Sequence, residues 1–210
     1  QHKVFETQLR AVLRASNEGA LSIMFPMVSN LSELRQAKVI LGKVKNDLRK
    51  EGNSFDENME VGAMIETPSA AMISDTLAKE VDFFSIGTND LIQYSIAIDR
   101  VNEKVAYLYR PSHPGVLKLI ETIVNAGHDN GIRIDMCGEM AGDPQFAIFL
   151  VGIGLDGLSM SSVAIPAVKK IIRSITQRRA REIALDVIKL STADEVDKVL
   201  KQELEKSMVS

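Results

Sequence analysis

The sequence offers a single cysteine, Cys137, among 210 residues. No internal disulfide can form, so that residue acts as a thiol in a reducing compartment or has no chemistry at all. Charge of one sign is missing too: 25 Lys and Arg face 28 Asp and Glu, a formal net charge of −3. That balance excludes a polybasic nucleic-acid binder. No apolar run is long: the longest, Phe146 to Ile153, falls far short of the roughly 20 residues that span a bilayer. No charged-then-apolar opening marks a signal peptide. A cytoplasmic location is the default expectation, with no membrane insertion and no nucleic-acid partner. The three histidines, His2, His113 and His128, show no partner spacing, so a zinc set is not expected. Internal repeats, linkers and low-complexity stretches are absent as well.

What is present suits a domain with a sizeable core, since 45% of the residues are apolar. The chain opens on Gln1 in what reads as a helix already under way, which suggests a piece of something longer. Short apolar or β-branched runs recur at Ser22–Val28, Glu60–Ile65, Val81–Ile86, Ile132–Met136 and Gly157–Met160. A helix-start signal is read after each of them. Asn30 with Glu33 has capping-box spacing, and Thr67-Pro68 and Asp143-Pro144 each pair an N-cap with a first-turn proline. Gly52, Gly131 and Gly154 stand where the chain turns back. From Thr176 onward the pattern is helical, with a second box at Thr192 and Glu195. Strand alternating with helix requires parallel strands and right-handed crossovers, which leaves a doubly wound sheet or a closed barrel. The expected fold is α/β, a TIM-type (β/α)8 barrel in which roughly two or three N-terminal strands lie before Gln1, because eight units take about 250 residues.

The chemistry-bearing residues fall at strand ends on this rhythm. Glu66 follows the second strand, Gly87-Thr88-Asn89-Asp90 the third and Cys137-Gly138-Glu139 the fourth. Barrel enzymes keep their sites at that end. A carboxylate at Glu66 is costly to bury unpaired, and a metal or an arginine is the usual remedy. With Asp90 as a second oxygen ligand, the pair favours Mg²⁺ or Mn²⁺. A helix opening at Asn89 or Asp90 points N–H groups at any nearby phosphate, and Arg100 can fork onto the same group. A straight helix reaching Arg100 would carry it about 15 Å away, so that helix must be short or the chain must fold back. Each residue also has a plainer reading: Glu66 as a surface glutamate, Asn89 and Asp90 as helix caps, Cys137 as core. The basic run from Lys169 to Arg181 reads as a solvated helix face. Ile171, Ile172 and Ile175 suit either core or interface.

Five stretches, Ile23–Met27, Met64–Ala70, Val81–Tyr94, Asp99-Arg100 and Met136–Asp143, resemble the family of enzymes that use phosphoenolpyruvate (PEP). Within it, the likeness is to the PEP-binding domain of the branch that feeds the PEP:sugar phosphotransferase system. The resemblance implies that residues 1–210 are the C-terminal part of a PEP-binding barrel. It implies Glu66 and Asp90 as Mg²⁺ ligands, Asn89, Asp90 and Arg100 as PEP-binding residues, and Cys137 as the catalytic proton donor. A thiol titrates near about 8.5 in water and so holds its proton at neutral pH, and the charge of Glu139 close by would favour that form. The implied reaction moves the phosphoryl group of PEP to a histidine and then to the phosphocarrier protein HPr, with a homodimer as the implied assembly. The alternative within the family is the barrel domain of pyruvate, phosphate dikinase or PEP synthase, which share the barrel and the Cys-Gly site, and a non-catalytic dimerisation module is the reading from another class.

In the family, further arginines come from earlier strands and the phosphoryl-accepting histidine from an N-terminal domain. The expected outcome is that this chain alone does not pass phosphate from PEP to HPr. Transfer measured with the purified chain would overturn that expectation.

Overall fold

The computed structural model describes residues 2–209. In chain order it contains α1 (His2–Ala15), β1 (Ile23–Phe25), α2 (Leu31–Lys50), β2 (Val61–Ile65), α3 (Pro68–Met72) and α4 (Ser74–Leu77). There follow β3 (Phe83–Gly87), α5 (Thr88–Ser95), α6 (Pro114–Asp129), β4 (Arg133–Cys137) and α7 (Pro144–Ile153). The last elements are β5 (Gly157–Leu158), α8 (Ile165–Ser174), α9 (Gln177–Val187) and α10 (Ala193–Val209). All five expected strands form, each within or within a residue of its expected run. They make one parallel sheet in the order β1-β2-β3-β4-β5.

The helix starts form for the reasons their sequences give. Asn30 accepts from the Glu33 N–H at 3.0 Å, while Glu33 reaches back to the Ser29 N–H at 2.8 Å. Thr67 caps α3 through the Ala70 N–H, and Asp143 caps α7 through the Gln145 N–H. Thr192 and Glu195 satisfy each other's N–H groups at 3.2 and 3.0 Å, a reciprocal box ahead of α10. His113 and His128 prove structural: His113 Nδ1 accepts from the Gly115 N–H, and His128 pairs with Asp156 at 3.1 Å.

The sheet has two unlike faces because side chains alternate along each strand. Phe25, Ala63, Ile65, Phe84, Ile86, Ile134 and Met136 share one face, all buried, and form the core with the helices. The helices approach closely there: a β-carbon on Gly127 of α6 would sit 1.9 Å from Ile134. The other face carries Met24, Met64, Ser85, Asp135 and Cys137, and Met24 at the sheet's first strand is 37% exposed. Its strand-start end is closed by Arg133, which lies over the Phe83 ring at 5.0 Å and pairs with Asp135 at 3.0 Å.

Behind the apolar face, α7 is buried nearly all round by α9, α8 and α10. Ile171 is core, and Ile172 and Ile175 pack against it. Among the described residues no helix is long and apolar enough to cross a membrane. Phe149 of α7 is fully buried, so Phe149→Ala is expected to cost about 3–5 kcal/mol of stability, read as a lower midpoint in urea unfolding.

Candidate active site

Glu66 is the residue immediately past β2, on the sheet's polar face, and only 4% of it is exposed. Its Oε1 accepts from the Met27 N–H at 2.7 Å. Met27 reaches that geometry in a left-handed conformation, φ 53°, which costs an L-residue roughly 1–2 kcal/mol. Gly87 gives the carboxylate room, since a β-carbon there would stand 2.7 Å from Glu66 Oε2. Burial raises the Glu66 pKa above the usual carboxylate value, and the Met27 N–H works against that shift. The charge of Asp90 and a hydrogen bond between the two carboxyl groups raise it further. Two interacting carboxylates, one of them buried, oppose each other's ionisation. Among the described residues no set of three or more Asp, Glu, His or Cys could hold a metal. Two carboxylates with open positions still fit Mg²⁺, which draws its other ligands from substrate phosphate and water.

The end of β3 holds the turn that follows β4. Cys137 pairs with Gly87 in register. Thr88, wholly buried, donates to the Cys137 carbonyl at 3.1 Å, and Asn89 Oδ1 accepts from the Glu139 N–H at 3.0 Å. Gly138 between them has φ 101° and ψ 178°, a region open essentially to glycine alone. A β-carbon there would lie 2.4 Å from Thr88 Oγ1. With its oxygen taken by Glu139, the Asn89 amide keeps its NH₂ group as a donor. The buried Ser85 donates from its Oγ to Cys137 Sγ at 3.4 Å.

Arg100 reaches this cluster because both expected remedies occur together. Helix α5 ends at Ser95, Ala97 turns the chain with φ 55°, and the Ile98 N–H returns to the Gln93 carbonyl at 3.0 Å. The Gln93 side chain then accepts from the Arg100 N–H at 3.3 Å. The guanidinium ends 3.6 Å from Glu139. Tyr109 closes the same loop, donating to the Asn89 carbonyl at 3.3 Å. Burial raises the Tyr109 pKa, and Arg100 partly offsets that. A cavity of about 490 Å³ opens beside Cys137, bordered by Asn89, Glu139, Asp143, Ser159 and Ser161.

A family model described as the PEP-binding domain of PEP-utilising enzymes matches residues 1–177. The chain belongs to the PEP-utilising enzyme family. Among similar curated proteins, one from Haemophilus influenzae named phosphoenolpyruvate-protein phosphotransferase is 47% identical over 96% of this chain and 35% of its own length. Proteins of the same name from Geobacillus stearothermophilus and Bacillus subtilis are 49% and 46% identical over 95% and 96% of the chain. The chain spans about a third of the length of these relatives. A crystal structure of a citrate lyase from Burkholderia xenovorans LB400 shares the α/β fold, with a TM-score of 0.59 at 16% identity, covering 97% of this chain and 68% of that one.

Within this family member the structure groups Glu66 with Asp90, and Asn89 with Cys137, Glu139 and Arg100. Cys137 is half-buried rather than core. Sequence reading assigns no site role to Met27, Ser85 or Tyr109, and marks Thr88 only by its place in the run after the third strand. Pro26 ahead of Met27 hinted at a turn, but nothing local marks Ser85 or Tyr109, whose contacts cross 52 and 20 residues.

Because folding raises the Glu66 pKa, the folded chain binds more protons than the unfolded one between the ordinary carboxylate range and the raised value. Stability therefore falls as pH climbs through that window. Glu66→Gln removes the loss and is expected to raise Tm at pH 7 by about 2–4 °C for each kcal/mol relieved. The two melting curves should converge below about pH 4. Thermal melts of both proteins across pH, without added metal, check this, and equal Tm values at pH 7 would refute it.

Proposed function

We propose that this chain is the C-terminal part of the PEP-binding domain of a phosphoenolpyruvate-protein phosphotransferase, working in the cytoplasm as a homodimer. The observation that carries the reading is the convergence at one sheet end of a paired carboxylate site, an arginine, a free amide donor and a thiol beside a cavity. Family membership and relatives of that name support it.

A barrel explains the sheet. Strands that add in strict sequence by right-handed crossovers place every helix on one side, and the polar side, with Met24 and Met64 partly exposed, then becomes the inner wall when further strands close the ring. Strand C-terminal ends, where Glu66, Asn89 and Cys137 lie, are the active end of such a barrel.

In the reaction, the P–O bond of PEP breaks and the phosphoryl group passes to a histidine, and from there to HPr, while the enolate of pyruvate gains a proton at C3. Glu66 and Asp90 would hold Mg²⁺, which when bound neutralises charge on the phosphate and on the developing oxyanion. Arg100 forks onto the phosphate and the Asn89 NH₂ group donates to it. Cys137 delivers its S–H proton to C3 from the cavity side. Glu66 also benefits, because a cation removes the repulsion that burial and Asp90 impose on it.

The test is calorimetric titration of PEP into the purified chain with and without Mg²⁺. Binding is expected only with the metal, and Asp90→Asn is expected to abolish it. Metal-independent binding, or binding that survives Asp90→Asn, would overturn this reading of the site.

A further inference from the structure

We infer that Ser85 is a positioning residue for Cys137: its hydroxyl donates to the sulfur, aims the S–H into the cavity and steadies the thiolate left after the proton is given up. This rests on the proposed role of Cys137 as acid and adds a residue to it.

Three observations converge on Ser85. It is buried on the sheet's polar face, in register with Asp135 and one alternation before Gly87, the partner of Cys137. Its Oγ lies 3.4 Å from Cys137 Sγ, within the range of a hydrogen bond to sulfur. Cys137 is only half-buried and borders the 490 Å³ cavity. A buried hydroxyl must place its proton somewhere, and leaving it unpaired costs free energy. With that donor on the sulfur, the thiol proton is left to point into the cavity.

The same contact favours the product of the proton transfer. When the S–H bond gives its proton to carbon, the electron pair stays on sulfur and the acceptor becomes an anion. Hydrogen bonds to charged groups are stronger than those between neutral ones. Ser85 is thus worth more after the transfer than before, which is the condition for accelerating that step. The Cys137 carbonyl is fixed independently by Thr88, so Ser85 governs the sulfur and not the turn.

Ser85→Ala isolates this effect. The charged groups at this end of the sheet are Glu66 after β2, Asp90 on α5, Arg100 in the following loop, Glu139 after β4 and Asp143 before α7, while Asp135, beside Ser85 in register, pairs with Arg133 toward the strand-start end. The substitution changes none of them. Cys137 is the sole cysteine, so iodoacetamide reports on it alone. In Ser85→Ala the pH midpoint of alkylation should rise by roughly one unit, a roughly tenfold slower reaction near pH 7. The limiting rate at high pH should stay the same, and Ser85→Thr should restore the wild-type midpoint. An unmoved midpoint in a variant with wild-type Tm, or a Ser85→Thr profile matching that of Ser85→Ala, would overturn the inference. Alkylation needs no PEP, so this result stands or falls apart from the titration that tests the proposed function.

Discussion

Glu66 carries a carboxylate into a place where little water reaches, and its two nearest partners act in opposite directions. The Met27 N–H supports the charge, while Asp90 opposes it. Much of the local backbone follows from holding that group. Met27 accepts a left-handed conformation to aim its N–H, and position 87 must be glycine because a β-carbon would strike the Glu66 side chain. The three contributions come from β1, β2 and β3, so the site exists only when those strands are in register. A pair of carboxylates arranged this way is electrostatically strained, because each opposes the ionisation of the other.

The second organising contact joins β3 to β4. Thr88 and Asn89 each bind one peptide group of the turn that holds Cys137, and Gly138 lets the two segments approach to a distance no side chain permits. One consequence is directional: with its oxygen engaged by the turn, the Asn89 amide has only donors left to offer an anion. Another is that the thiol, the amide and Glu139 keep fixed relations, because they ride on the same clamp. Arg100 arrives by a different route, through a short helix and a fold-back held by Gln93. Its loop is tied to the clamp by Tyr109 and paired with Glu139, so the arginine and the turn are neighbours without sharing a strand.

The strand rhythm, the caps and the strand-end placement of Glu66, Asn89, Asp90 and Cys137 were legible along the chain. Each depends on residues a few positions apart: alternation within a strand, Asn30 with Glu33, Thr67 with Pro68, Asp143 with Pro144. Arg100 was legible as a candidate, though its path was not, because the reversal at Ala97 uses a residue that gives no turn signal. Ser85 was invisible as a site residue, Thr88 was legible only by its place at a strand end, and Tyr109 was invisible too. Their partners are 52, 49 and 20 positions away, and a serine in an apolar strand looks the same whether or not a sulfur lies beside it.

The sequence by itself determined the alternation of strands and helices, the end of the sheet where polar groups gather, and the family to which the chain belongs. These follow from local periodicity, capping chemistry and long motifs. Tertiary structure alone decided which of those groups touch: that Glu66 is buried against Asp90, that Asn89 spends its oxygen on Glu139, and that a serine stands behind the cysteine. The physical reason is that hydrogen bonds and charge interactions act over a few ångströms in space. Parallel strands bring residues that far apart in sequence to that distance only after each crossover helix has packed.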